Sequence, residues 1–230
     1  MHDLKPLYDA VLKGDAKASK SITEQALADG VDPLKLVNEQ MIPAMDEVGR
    51  RFESNEYFVP ELLVSARAMK ASLELIRPLL VARGNEPLGR VVIGTVKGDL
   101  HDIGKNLVAA MLEGGGFEVI DLGVNVTPEK FIQTIKEKKA NVVAMSALLT
   151  TTLPSMKSTI DAFKAAGVRD CVKVLIGGAP ITSKFAEEIG ADGFSDNAVG
   201  AVALAKQSLG LGGKAVLSVG KTVSVTTCQG

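Results

Sequence analysis

Gly94-Thr95-Val96-Lys97-Gly98-Asp99-Leu100-His101-Asp102-Ile103-Gly104-Lys105-Asn106 lies between two different hydrophobic patterns. The apolar run Val91-Val92-Ile93 leads into it, and Leu107, Val108, Met111 and Leu112, spaced as on one helix face, follow it. A strand, a loop and a helix are implied. The loop carries one of the chain's two histidines, an aspartate two positions before it, and Gly94, Gly98 and Gly104. A carboxylate beside an imidazole, where glycines let backbone pass close to a ligand, is what a metal-ligating histidine with a hydrogen-bonded partner needs. The same spacing taken alone also reads as an exposed turn with Asp102 capping the next helix.

Downstream, short β-rich runs recur at residues 117–121, 141–146, 172–176 and 193–195, after the first at 90–95. Helical segments alternate with them at 105–112, 128–138, 153–165, 183–189 and 198–209. This alternation predicts a parallel five-stranded sheet of Rossmann or flavodoxin-like type, with helices on both faces and a crevice at the carboxyl ends of the strands. Upstream, residues 4–83 give helix signals and no strand signals. Asp15 and Asp32-Pro33 open helices, Met41, Met45, Val48 and Phe52 mark a third, and Val59, Leu62, Leu63, Ala66, Met69, Leu73, Ile76 and Leu80 form a long apolar stripe. Four or five helices with short connections predict a small bundle. Turn formers at 84–89 set the expected division: a helical domain over 1–88, a sheet domain over 89–212, and a tail over 213–230 whose alternation about Gly220-Lys221 suggests a hairpin or edge strand.

The formal charge of -1 gives no electrostatic case for nucleic acid or an anionic membrane as partner. Only Cys171 and Cys228 are present, without a C-x-x-C, so neither a disulfide framework nor a thiolate zinc site is indicated. The N-terminus lacks the apolar run of a signal peptide and no stretch approaches a membrane span, so a cytoplasmic protein is expected.

If the sheet forms, its strand ends gather Asp99 and His101, then Ser146, Leu148, Thr150 and Thr152, then Gly177-Gly178, on one rim. A single imidazole with hydroxyls and a glycine pair is a poor set for hydrolysis. It suits a metal that already has its equatorial ligands, as in a macrocycle with a side arm. Each residue also has a plainer reading: the hydroxyls as caps, the glycine pair as a tight turn, Phe52, Val59, Leu62 and Met69 as core, His2 as an inert terminal residue. A response-regulator reading of the same fold fails because Ser146 stands where an aspartate would end the third strand.

Asp99-x-His101-x-x-Gly104, then Ser146-x-Leu148, then Gly177-Gly178, resembles the cobalamin-binding signature of methionine synthase and of the corrinoid proteins of methyltransferase systems. Val48-Gly49-Arg50-Arg51-Phe52 and Phe58-Val59-Pro60-Glu61-Leu62-Leu63 resemble the helical cap of that family, and the likeness covers residues 4–209. It implies a cobalamin bound base-off and His-on, with His101 as lower axial cobalt ligand and Asp99 as its hydrogen-bonded partner. It also implies that Ser146 contacts the buried benzimidazole, that Thr150 lines its pocket and that Gly177-Gly178 let the cofactor tail pass. Thr152 takes the place of a serine in a proton relay, keeping the hydroxyl and adding a methyl. The cofactor-contacting set extends to Gly98, Asp102, Ile103, Gly104, Leu148 and Ala198, while Phe52, Val59 and Leu62 align with the apolar residues that cover the methyl group. Such a lid has a use, because methyl-cobalt is sensitive to light and water and its reduced form oxidises easily.

The function so implied is that of a methyl carrier working between a substrate-specific methyltransferase and a second, acceptor methyltransferase, with a reductive activase as a further partner. A catalytic barrel of about 250 residues does not fit in this chain, so these partners are separate proteins that fix the methyl donor, whether a methylamine, methanol, an aryl methyl ether or a betaine. Two other classes share the signature. A cobalamin-dependent sensor would be expected to carry a helix-turn-helix and a basic patch, neither evident here. An adenosylcobalamin mutase subunit would need room for a larger upper ligand than a small cap suits.

Overall fold

The computed structural model describes residues 4–82 and 87–211. The readings made for His2, for the first half of the 84–89 boundary, for Cys228 and for the tail hairpin lie outside them. The chain divides into two compact units, the first holding the N-terminal helices together with Ala110–Phe117, the second beginning at Leu88 and holding the sheet.

In the helical unit, α1 (Lys5–Leu12) is followed by α2 (Ala16–Ala28), whose first turn is capped by the Asp15 carboxylate accepting from Ala18 N–H at 2.9 Å. The sequence reading placed two helices before Pro43; the structure adds α1 and joins the later segments. After Asp32, which accepts from Leu34 N–H, one helical path runs through α3 (Pro33–Leu36), a π turn (Val37–Met41) and α4 (Ile42–Glu53). Pro43 has no N–H to donate and its ring crowds the carbonyl four residues back. The wider π turn immediately before it, with Ile42 N–H reaching Val37 O, lets the helix continue past the proline instead of ending there. The long stripe forms α5 (Val59–Ala82). Helices α2 and α5 meet across small hydroxyl residues: Ser19, Thr23 and Ser72 are fully buried, and Ser72 Oγ lies 2.7 Å from Ser19 Oγ and 2.9 Å from Thr23 Oγ1. Burial without partners would be costly for these groups, so they bond one another.

In the second unit β1 (Arg90–Thr95), β2 (Glu118–Asp121), β3 (Val142–Ser146), β4 (Lys173–Gly177) and β5 (Gly193–Phe194) pair in the order β2-β1-β3-β4-β5, all parallel. This is the five-stranded flavodoxin-like order expected, whose ligand crevice lies where the winding direction reverses, at the β1/β3 carboxyl ends. Connecting helices are α6 (Ile103–Gly114), α7 (Pro128–Lys138), α8 (Leu153–Ala165), α9 (Ser183–Ile189) and α10 (Ala198–Ser208). Period-two alternation sorts the strands' side chains. Val92, Val143 and Val174 share a face and join one buried cluster with Phe131 of α7, Met156, Ile160 and Phe163 of α8 and Ile189 of α9. Leu175 and Gly193 pair on the opposite face, where a side chain on Gly193 would strike Leu204 of α10. Both faces are covered, which explains the near-continuous apolar runs.

At the end of β4 the backbone turns sharply. Gly178 has φ +138°, and a Cβ there would lie 1.9 Å from the carbonyl oxygen of Ala147. Gly190, at the end of α9, also has positive φ but faces open space. Gly178→Ala is therefore expected to destabilise the protein by more than about 3 kcal/mol, backbone strain and a clash combined, and Gly190→Ala by about 1 kcal/mol from strain alone. Urea unfolding of the two variants checks this; equal losses would show that the approach to Ala147 is not what requires glycine at 178.

Candidate functional site

The register sets the site. Thr95 pairs with Ser146, and Ser146 with Gly177, so the loops that follow β1, β3 and β4 leave the sheet in one row. Within the first loop, Asp99 N–H turns back to Val96 O, and the Thr95 hydroxyl donates to His101 O at 2.8 Å.

The Asp99 side chain is fully buried. Its Oδ1 accepts from the His101 backbone N–H at 3.0 Å and lies 2.8 Å from His101 Nδ1. Its Oδ2 accepts from the Thr152 hydroxyl at 2.7 Å, from Leu148 N–H at 2.8 Å and from Leu149 N–H at 3.3 Å. Burial pushes this carboxyl up, but the donors from His101, Leu148 and Thr152 outweigh it and hold it well below the usual carboxylate range. The Thr152 oxygen is also 2.8 Å from Leu149 O, yet it has one proton, and the ionised carboxylate is the stronger acceptor.

This carboxylate fixes the histidine. An ionised Asp99 only accepts, so the shared proton belongs to His101 Nδ1 and the lone pair of the neutral ring is on Nε2. The side chain is half exposed, and Nε2 has no partner among the described residues. Those residues hold no group of three or more His, Cys, Asp or Glu that could bind a metal ion. The arrangement thus offers one nitrogen ligand, oriented from behind, to a metal that brings its other ligands with it.

The surroundings fit such a group. Ile103 is 86% exposed, Leu100 70%, and Leu148 and Leu149 each 43%, an apolar collar on both loops beside His101. Exposed apolar residues gathered on one rim mark a binding surface. Ser146 is half-buried and Thr150 exposed, and neither hydroxyl bonds to another described residue, so both are available to a ligand. A side chain at Gly104 would meet nothing within 4 Å, and Gly98 has φ +87°. Asp102 is exposed and accepts from Asn106 Nδ2 at 3.1 Å. Ala198 is buried in the first turn of α10, which the Asn197 side chain caps through Gly200 N–H.

The helical unit carries the remaining predicted residues. Leu62 is buried, Phe52 half-buried and Val59 exposed beside the exposed Phe58. The turn joining α4 to α5 is tied down from one side. Glu47 accepts from Arg50 Nε and Nη2, both at 2.7 Å, and from Arg51 Nε at 2.8 Å; these bonds pull its carboxyl down to about 2. Arg51 in turn lies over the Tyr57 ring, and the Tyr57 hydroxyl donates to Leu12 O at 3.3 Å.

Two family models, each described as a B12 binding domain, match residues 89–203 and 4–77. The chain belongs to the B12-binding family. Among curated relatives of this B12-binding chain, trimethylamine corrinoid protein 2 of Methanosarcina mazei is 43% identical over 89% of this chain and 94% of its own. Dimethylamine corrinoid protein of Methanosarcina barkeri is 41% identical over 90% and 97%. A cobalamin-binding protein of Desulfitobacterium hafniense has a TM-score of 0.73 at 35% identity, covering 90% of this chain and 98% of that one. The methanol:cobalamin methyltransferase complex of Methanosarcina barkeri contains a chain with a TM-score of 0.80 at 27% identity, covering 90% and 79%. The cofactor is cobalamin, and the donor set and collar fit it. No helix among the described residues is long and apolar enough to cross a membrane.

Sequence reading named the histidine, the aspartate and the threonine but missed Leu100, Leu149 and Asn125. Leu100 is an exposed apolar residue inside a polar loop, Leu149 adjoins the named Leu148, and Asn125 lies two residues after the turn former Gly123. For Asp99 the sign of its pH dependence is fixed. Its lowered folded pKa means the unfolded chain binds the proton more readily, so its stabilisation is present above about pH 4 and is lost as pH falls below that. Thermal melting of the cofactor-free protein should decline steeply below about pH 4, and Asp99→Asn should lower the plateau and flatten that decline. An equally steep acid decline in the variant would assign the effect to other carboxylates.

Proposed function

We propose that this chain is a cytoplasmic corrinoid methyl carrier, loaded by a substrate-specific methyltransferase and unloaded by a second one, with a reductive activase restoring it after oxidation. The observation that carries the reading is the half-exposed His101, with Nδ1 held by a buried carboxylate and Nε2 free, within an apolar collar. When bound, the cobalt of cobalamin supplies the atom on which a methyl group is carried. The residues of the chain do the rest. His101 Nε2 would hold the cobalt, and Asp99 keeps its ring in the required tautomer and orientation. If Nε2 is off the metal and takes a proton, the resulting imidazolium faces an ionised carboxylate, so Asp99 supports both states of the ring. The Thr152 hydroxyl anchors that carboxylate from behind.

Ser146 and Thr150 bond the nucleotide tail, with Gly177-Gly178 leaving space for it. Gly98, Asp102, Ile103, Gly104, Leu148 and Ala198 complete the contacts, and Phe52, Val59 and Leu62 form the apolar lid. The two curated relatives bear the names of trimethylamine and dimethylamine, and the structural relative belongs to a methanol system. A methylamine methyltransferase is therefore the first loading partner to assay.

Incubating the purified protein with cobalamin should give the absorption spectrum of a cofactor whose benzimidazole has left cobalt and been replaced by imidazole. His101→Ala should lose the imidazole contribution and weaken binding by at least about tenfold. A spectrum unchanged by the substitution means that a different ligand holds the metal. Chemical extraction of a methyl upper ligand supports the carrier; adenosyl would return the mutase reading.

A further inference from the structure

The loop after β2 is bound to the His101 loop more closely than packing requires. Thr95 N–H donates to Gly123 O at 3.0 Å and Val126 N–H to Thr95 O at 2.9 Å, so the two loops continue the β1–β2 pairing beyond the strands, with a bridge at Val96 and Val126. At the tip of this extension stands Asn125. Its Oδ1 accepts from Gly98 N–H at 2.8 Å, and its own N–H donates to Asp99 O at 3.0 Å. One residue therefore grips both backbone positions that precede the ligand histidine by three and two. Its φ of +54° lies in the left-handed region, which asparagine tolerates better than most residues. Gly98 is itself at φ +87°, and its exposed N–H has its protein acceptor in Asn125.

The anchor is firm from its other side as well. Asp121, at the end of β2, accepts from Gly123 N–H at 2.8 Å through Oδ1 and pairs through Oδ2 with the buried Lys105 of α6. The loop carrying Asn125 is thus held by the strand before it, by the helix after His101 and by the end of β1.

We infer that Asn125 is a positioning residue for the cobalamin site: it holds Gly98 and Asp99 so that His101 Nε2 is presented to cobalt at a fixed place. This rests on the proposed axial role of His101. Asp99 is held at its carboxylate by Leu148, Leu149 and Thr152 and at its N–H by Val96 O, which leaves its carbonyl and the Gly98 N–H to Asn125. Rotation of its backbone would swing the imidazole even with the carboxylate bonds kept. The two Asn125 bonds remove that freedom.

Two variants separate side chain from backbone. Asn125→Gly keeps the left-handed conformation and the N–H to Asp99 but removes Oδ1; Asn125→Asp keeps an acceptor for Gly98 N–H. Each is titrated with cobalamin, and the fraction of cofactor carrying imidazole on cobalt is read spectroscopically at saturation, which counts only folded, loaded protein. Asn125→Gly should weaken binding by about fivefold, the scale of one hydrogen bond, and lower the imidazole-bound fraction, while Asn125→Asp stays within about twofold of the parent. An imidazole-bound fraction unchanged in Asn125→Gly overturns the inference, as does an equal loss in both variants. If the parent protein itself shows no imidazole on cobalt, the axial role fails instead, so the two failures are distinguishable.

Discussion

A carboxylate with no exposed surface is unstable unless donors surround it, and Asp99 collects five contacts from three places in the chain. That requirement organises the site. Because His101 supplies two of the donors, the imidazole is drawn against the carboxylate; because Leu148, Leu149 and Thr152 supply the others, the loop after β3 closes over the loop after β1. The same electrostatics select the tautomer. A carboxylate kept ionised cannot donate, so it dictates which imidazole nitrogen remains available. The residue that buries a charge thereby fixes the direction of a ligand it does not itself bind to metal.

The rim has two kinds of surface. Around His101 it is apolar and exposed, with Leu100, Ile103, Leu148 and Leu149 projecting into solvent, which suits the broad face of a macrocycle. Toward β3 and β4 it turns to hydroxyls and glycine, with Ser146, Thr150 and the Gly177-Gly178 turn, which suits a narrow polar arm. The parallel register is what places these surfaces side by side, since Thr95, Ser146 and Gly177 are consecutive partners across three strands.

The alternation of strands and helices was legible because the central strands β1, β3 and β4 are largely buried and read as apolar runs between helical patterns; the bounds read for α7, α8 and α9 coincide with the observed ones. Boundaries slipped where local signals compete. Helix α6 begins at Ile103, inside what glycine and aspartate marked as loop, and the segments read as separate helices from Asp32-Pro33 and from Met41 are one path because a π turn is invisible to a period of 3.6. In the site, the residues with distinctive chemistry were legible and those acting through backbone were not. Leu149 contributes an N–H that any residue but proline has, and Asn125 acts across a contact between loops 27 residues apart. No one-dimensional pattern encodes that pairing.

Thr152 shows how a substitution inside the motif can preserve the geometry. Serine would supply the same hydroxyl, but with three accessible rotamers about its Cα–Cβ bond. Threonine's second heavy substituent on Cβ narrows that choice. Here its methyl lies on the Gly98 side, 3.7 Å from where a Cβ on that glycine would be, while its hydroxyl points to Asp99 Oδ2 at 2.7 Å. The side chain is nearly buried, so the methyl replaces space that would otherwise be filled by water or left empty. Gly98 is required for its positive φ, and a Cβ there would still meet the branch only at ordinary van der Waals distance. The threonine hydroxyl is thus aimed before any ligand arrives, at a lower entropic cost than serine would incur, and the buried carboxylate keeps its third anchor.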